Sequence, residues 1–155
     1  MREEDLYRRV VDLHNRYAAC LDDGDFGSWP EMFTDDGRYR VQSAENHEKG
    51  LLHAPIYCDG KGMMRDRVSA TEVMVYEKRR QRRFVSAIRI LEAGDVIRST
   101  ANVMLTECFI DRDPVLALTG VFIDEIVEQS GELRFRDRLC VYDNYRVVQN
   151  LMFPV

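Results

Sequence analysis

The sequence predicts an α+β fold in which helices near the start of the chain pack on a long, strongly curved antiparallel sheet. Two observations carry this. Residues 3 to 23 repeat their apolar side chains at helical spacing, and residues 83 to 142 hold four strand-like stretches separated by hairpin-length turns. A third observation bounds it: 155 residues fit one domain spanning 1–155, large enough to bury a core of its own.

In residues 3 to 23, Leu6, Val10, Leu13, Tyr17 and Leu21 recur three and four apart and form one stripe. Gly24, in Asp22-Asp23-Gly24-Asp25, ends that helix. Residues 28 to 33 predict a second, short helix, with Ser28 and Glu31 as a capping box and Pro30 in the first turn. Asp35-Asp36-Gly37 suits a tight turn. Residues 37 to 43 then alternate as a strand, with Tyr39 and Val41 on one face and Arg38, Arg40 and Gln42 on the other. Residues 43 to 55 predict a long polar loop. Residues 60 to 76, with Met63, Met64, Val68 and Val75, predict a third helix.

The second half changes period. Residues 83–91, 96–110, 115–129 and 132–142 are rich in Val, Ile, Phe and Thr. Between them lie Ala93-Gly94-Asp95, Asp111-Arg112-Asp113-Pro114 and Ser130-Gly131, which are turn signals. Strands this long exceed the usual length and predict strong twist around the helices. Ile97, Ala101, Val103, Leu105 and Phe109 share a face that Glu107 interrupts. Residues 115 to 123 are apolar on both faces, which predicts a second cover, and in a chain this short another subunit is the natural one.

Composition narrows the functional classes. A hydrophobic content of 45% and a charged content of 32% are ordinary for a soluble protein, and a net charge of −5 argues against nucleic acid as the main partner. There is no apolar run long enough to span a membrane, and Met1-Arg2-Glu3-Glu4-Asp5 is too acidic for a signal peptide, so a cytoplasmic location is expected. Cys20, Cys58, Cys108 and Cys140 lie far apart and predict four small reduced core residues rather than a zinc site. No dinucleotide fingerprint, phosphate loop, nucleophile elbow or zinc-protease motif occurs.

Each candidate for chemistry has a plainer reading. The run Lys78-Arg79-Arg80-Gln81-Arg82-Arg83 lacks interleaved aromatics and predicts a solvated or subunit-facing edge. Arg134, Arg136 and Arg138 alternate opposite Leu133, Phe135, Leu139 and Val141 and predict a solvent or subunit-contact stripe; Phe122 and Phe153 join them as contact candidates. His14 borders the helical stripe and is expected to be hydrogen-bonded or exposed. His47 and His53, near Glu45 and Glu48, are too irregularly spaced to predict a metal site.

The layout resembles the small (β) subunit of aromatic-ring-hydroxylating dioxygenases, the Rieske non-haem iron oxygenases. The matching stretches are WPEMFTDDGRYRV, NHEKGL, GKGMMRDRVSA, STANVMLTE and GVFIDEIVEQSGELRFRDRLCVYDN, with the ending LMFPV. The first of these, continued through NHEKGL, is most similar to small subunits of enzymes acting on aromatic carboxylates of the salicylate, anthranilate and terephthalate type. The resemblance implies a cystatin/NTF2-like cone and a mainly structural subunit, with no catalytic, metal or cofactor-binding residue in this chain. It implies a large (α) oxygenase subunit as partner in an α3β3 hexamer. That subunit would hold a Rieske [2Fe–2S] cluster and mononuclear Fe(II), fed by NAD(P)H through a reductase. The alternative from the same fold is a self-contained isomerase, dehydratase or cyclase with an acid/base pair in the cone. Its candidates are His14, Tyr17, Asp35, Arg40 and Glu107, and it predicts an open apolar pocket where several of them meet.

Overall fold

The computed structural model describes residues 2–74, 78–144 and 153–155. Helix α1 (Glu3–Asp22) forms where the apolar stripe predicts it. Leu6, Val10, Leu13, Tyr17 and Leu21 are buried, Glu3, Glu4 and Asp5 favour the positive end of the helix dipole, and Gly24 takes a left-handed φ of 75° just past the end. Residues Trp29–Met32 make a single 3-10 turn rather than a capped α-helix. The capping box does not form. Ser28 is itself helical in φ and ψ, and Glu31 is taken by Lys61 at 3.2 Å and Arg65 at 2.8 Å.

Strand β1 (Phe33–Ser43) starts earlier than the sequence pattern predicts and absorbs Asp35-Asp36-Gly37. These residues form a bulge against strand β6 (Glu132–Tyr142), not a free turn: Phe33 pairs with Phe135, and the next pair is Arg38 with Asp137. Gly37 is required by close approach. A Cβ there would sit 2.9 Å from the carbonyl oxygen of Thr34 and 3.0 Å from the Cβ of Phe33. The predicted loop 43 to 55 contains helix α2 (Ala44–Glu48), capped by Ser43, whose side chain accepts from the Asn46 N–H at 3.2 Å. A short strand, β2 (Ile56–Asp59), follows. Helix α3 (Lys61–Met74) buries Met64 and Val68 and leaves Met63 exposed, while Val75 lies outside the described residues.

Strands β3 (Arg79–Glu92), β4 (Ile97–Phe109), β5 (Val115–Gln129) and β6 form the predicted meander. The β5–β6 turn is two residues long, with Ser130 and Gly131 both at positive φ, as a tight hairpin needs. The sheet order is β2-β1-β6-β5-β4-β3. Every pairing is antiparallel except β1 with β6, which is parallel, so the sheet is mixed. Register shifts interrupt β1–β6, β3–β4, β4–β5 and β5–β6, and bulges of this kind bend long strands around a core. Helices α1 and α3 cover one face of the sheet. Between helix and sheet lies one apolar cluster built on Leu13, Tyr17, Trp29, Phe33, Phe122 and Phe135. A fully buried side chain of this size contributes about 1.5–3 kcal/mol.

Candidate functional site: the cone interior

A polar cluster sits inside the apolar core. Asp124 on β5 and Arg138 on β6 are directly paired in register, and both side chains are fully buried. Arg138 donates through Nε and Nη2 to the two carboxylate oxygens of Asp124, each at 2.8 Å. The guanidinium also lies 3.9 Å from the ring centres of Phe122 and Phe135 and 4.2 Å from that of Tyr17, where a cation gains from the ring faces. Arg138 Nη2 further donates to His14 Nδ1 at 2.9 Å, which leaves the imidazole proton on Nε2, 3.6 Å from Asp124.

Arg138 reaches the interior because of one residue. Across β5–β6, Ile126 pairs with Phe135 but Glu125 pairs with Asp137, so Arg136 is an extra residue on β6. A one-residue slip exchanges the two faces of a strand. Leu133 and Phe135 face the core before the bulge; Arg138, Cys140 and Tyr142 face it afterwards. The expected stripe of three exposed arginines is therefore broken. Arg134 stays at the surface and donates to the carbonyl oxygen of Glu31 at 2.7 Å, Arg136 stays half-exposed, and Arg138 turns inward. Phe122, grouped with them as a contact candidate, is also fully buried, while Phe153 is half-buried and stacks on Phe26 with ring centres 5.1 Å apart.

The five cavity candidates do not meet. His14 and Tyr17 are together in the interior. Asp35 is almost fully exposed and lies 3.2 Å from Lys61. Arg40 is on the opposite sheet face with Arg38, both bonded to Asp137. Glu107 lies on the inner face of β4, at its far end, where it pairs with Arg79 at 2.8 Å. The volume beside His14 and Tyr17 is filled. Tyr17 packs edge-on to Phe122 and Phe135, and its hydroxyl donates to the backbone oxygen of Val155 at 2.5 Å. The Val155 N–H in turn donates to the hydroxyl of Tyr39 at 2.7 Å.

The electrostatics follow from burial. Desolvation, helped by the charge on Arg138, holds His14 down at about 2, so the imidazole is neutral. Burial raises Tyr17 and holds Tyr39 well above the usual phenol range, so both remain neutral hydroxyls, Tyr17 donating to the Val155 oxygen and Tyr39 accepting from the Val155 N–H. Burial pushes Cys140 up to about 12 and Cys20 up to about 11, which makes both poor nucleophiles. Cys58 is buried as well, whereas Cys108, expected in the core, is exposed on β4. Among the described residues no three His, Cys, Asp or Glu side chains group so as to hold a metal ion, and no helix is long and apolar enough to cross a membrane. The basic run divides: Arg79 pairs with Glu107, Arg83 is buried against Asp22 at 2.8 Å, and Arg80 and Arg82 are exposed.

Three interior residues are absent from the predicted site: Asp124, Tyr39, which the pattern places only on a strand face, and Arg83, which it places only in the basic run. The signal for Asp124 was present: it sits two residues from Phe122 and two from Ile126, on the apolar face of one strand.

Residues 2–139 match the SnoaL-like domain family. The chain is 30% identical over 148 residues to the anthranilate 1,2-dioxygenase small subunit of Burkholderia cepacia, covering 94% of this chain and 92% of that one. It is 29% identical over 139 residues to subunit beta 1 of the terminal oxygenase component of terephthalate 1,2-dioxygenase from Comamonas, covering 88% and 90%. Among solved structures it is similar to a chain assigned as the β subunit of an aromatic-ring-hydroxylating dioxygenase from Novosphingobium aromaticivorans, with a TM-score of 0.90, 29% identity and 98% of each chain covered. The chain belongs to the SnoaL-like domain family and, within it, to the small (β) subunits of aromatic-ring-hydroxylating dioxygenases.

Proposed function

We propose that this dioxygenase small subunit is a structural, non-catalytic component of a terminal oxygenase that hydroxylates an aromatic carboxylate in the cytoplasm. It acts as one domain over residues 1–155 and supports an α3β3 assembly. The large (α) subunit supplies the Rieske [2Fe–2S] cluster and mononuclear Fe(II), which activate dioxygen with electrons passed from NAD(P)H by a reductase. The observation that carries this reading is the filled cone. The interior that an NTF2-like enzyme would leave open is packed here, and His14, Asp124, Arg138, Tyr17 and Tyr39 each bond to one another or to Val155, while His14 Nε2 and Arg138 Nη1 have no partner among the described residues.

The outer sheet face supports a docking role. Phe84, Leu116 and Ile123 are exposed there, and the same face carries the charged network of Arg38, Arg40, Asp137, Arg136 and Glu125, with Ile123 in register with Leu139 beside Arg40. Exposed large apolar side chains on a sheet face that also carries paired charges are the composition of a subunit contact rather than of a plain solvent face.

Co-expression with the adjacent large-subunit gene tests the proposal. The tagged chain is expected to retain a larger, iron-containing partner, and the isolated chain to turn over no aromatic carboxylate. Ile123→Asp with Leu116→Asp should abolish retention while leaving the circular dichroism of the isolated chain unchanged. Failure of the unaltered chain to retain any iron protein defeats the reading.

A further inference from the structure

The sheet ends in two unequal edges. β2, at one, is four residues long, and β3, at the other, runs for 14. A long edge strand offers a row of unpaired backbone groups to any other extended chain. The composition of β3 makes such pairing a hazard. Residues 84–91 read FVSAIRIL, with one charge in eight, and Phe84 and Leu91 are exposed.

Three features of β3 oppose that hazard. The first is a cap. Asp22, at the end of α1, accepts from the backbone N–H of Arg83 at 3.1 Å and from its Nη1 at 2.8 Å, so this N–H is already taken when another strand arrives. The second is a bend. Ser86 pairs with Asn102 and Arg89 with Thr100, so Ala87 and Ile88 together oppose one residue, and Ala87 takes a φ of 51°. An alanine rarely adopts that left-handed conformation. The bulge keeps Val85, Ile88 and Ile90 against the core, and a second register shift follows between Ile90 and Glu92, so residues 79–86 are the longest regular run. The third is charge. Arg80, Arg82 and Arg89 are exposed and make no ion pair among the described residues. Their neighbours in register on β4 are Cys108, Thr106 and Thr100, which bring no opposite charge. Two β3 edges brought together would set these guanidiniums along one seam, where like charges repel. The chain as a whole carries −5, so this local excess of positive charge belongs to the edge and not to the surface at large.

We propose that β3 is a guarded edge: its carboxylate cap, its strained bulge and its unpaired arginines keep a second copy of this chain from extending the sheet. The short β2 edge needs no such guard, because four residues give an added strand too little to pair with. The proposal concerns the edge alone and stands whether or not the outer sheet face docks on a larger subunit.

The test removes the charges in the full chain, with Arg80→Thr, Arg82→Thr and Arg89→Thr together. All three side chains are exposed, so circular dichroism and the urea midpoint should stay as they are. Losing three positive charges takes the net charge from −5 to −8, which by itself holds molecules further apart. An unguarded edge predicts the opposite. Association, followed by light scattering and thioflavin fluorescence, should be at least about tenfold faster than in the unaltered chain. Adding Ser86→Lys, one new charge on the same edge, should return the rate to that of the unaltered chain. Arg2→Gln with Arg8→Gln and Arg16→Gln makes the same change of net charge on the exposed face of α1 and should not speed association. A folded edge variant that associates no faster overturns the proposal. So does equal acceleration in the α1 variant, or a Ser86→Lys chain that associates as fast as its parent. Should the triple variant not fold, Arg82→Thr alone carries the test: it should speed association at least about twofold, and an unchanged rate defeats the guard.

Discussion

Arg136 and Arg138 stand two residues apart on one strand and have opposite fates. Arg136 pairs with Glu125 at 2.7 Å on the outer face, where both side chains remain in contact with water. Arg138 pairs with Asp124 at 2.8 Å on the inner face, with neither in contact with water. The chemistry of the two pairs is the same, but the solvent is not. An exposed pair gains little because water screens it, whereas a buried pair becomes indispensable because neither charge can be left alone. What separates them is the extra residue in β6, so a single step in strand register decides whether an arginine decorates the surface or organises the core.

The contrast is broken most strongly at Arg138. Arg138→Ala leaves Asp124 a lone buried carboxylate and should cost about 3–5 kcal/mol of stability in urea unfolding. Replacing both members with leucine should recover most of that loss, since the penalty belongs to the orphaned charge.

His14 provides the next largest effect, as a pH dependence. Its folded pKa, about 2, lies below its unfolded value of 6.5, so the folded state refuses a proton that the unfolded state accepts. The stabilisation is complete above the unfolded value and is lost as pH falls through it. Between pH 6.5 and 5 the unfolding free energy should drop by up to about 2 kcal/mol, and His14→Gln should flatten that slope. A His14→Gln profile as steep as that of the unaltered chain would show that the imidazole is not held neutral.

On the outer face the effects shrink. Arg136→Ala should cost less than about 1 kcal/mol, measured by the same urea titration. Glu125, drawn below its ordinary range chiefly by the Arg136 hydrogen bond, adds a small stabilisation that is present above its unfolded pKa and lost as acid titrates it at the folded value. Smallest of all, Asp35→Asn with Asp36→Asn should leave turnover of the reconstituted oxygenase within a few-fold of normal. The two lie on an exposed bulge away from the interior. A loss of many orders with assembly intact would place a carboxylate of this bulge in the reaction.

The same contrast shows what could be read in the sequence. Four of the strands and the long helix were legible, because alternation or helical spacing persists over eleven or more residues in each. Strand β2 was not, because Ile56-Tyr57-Cys58-Asp59 is too short to show a period, and α2 was hidden in a polar stretch whose cap, Ser43, also ends β1. The bulges escaped for a different reason. They change the phase of a pattern without changing its composition, so Arg134, Arg136 and Arg138 looked equivalent. Spacing alone put Tyr17 on the interior stripe and His14 only at its border. Their partners Asp124 and Arg138, and the return of Val155 to Tyr17 and Tyr39, depend on contacts between distant parts of the chain.

The parallel pairing of β1 with β6 has a consequence in time. Arg38 meets Asp137 across 99 residues of chain, so during synthesis β1 emerges long before the strand that flanks it. At about 5–20 residues per second, the β1 edge waits roughly 5–20 s on the ribosome with its backbone groups unpaired. The chain therefore completes its sheet last at the centre, when β6 slots between β5 and β1, and a nascent chain halted before residue 132 should be the species that chaperones hold and that aggregates when they are scarce.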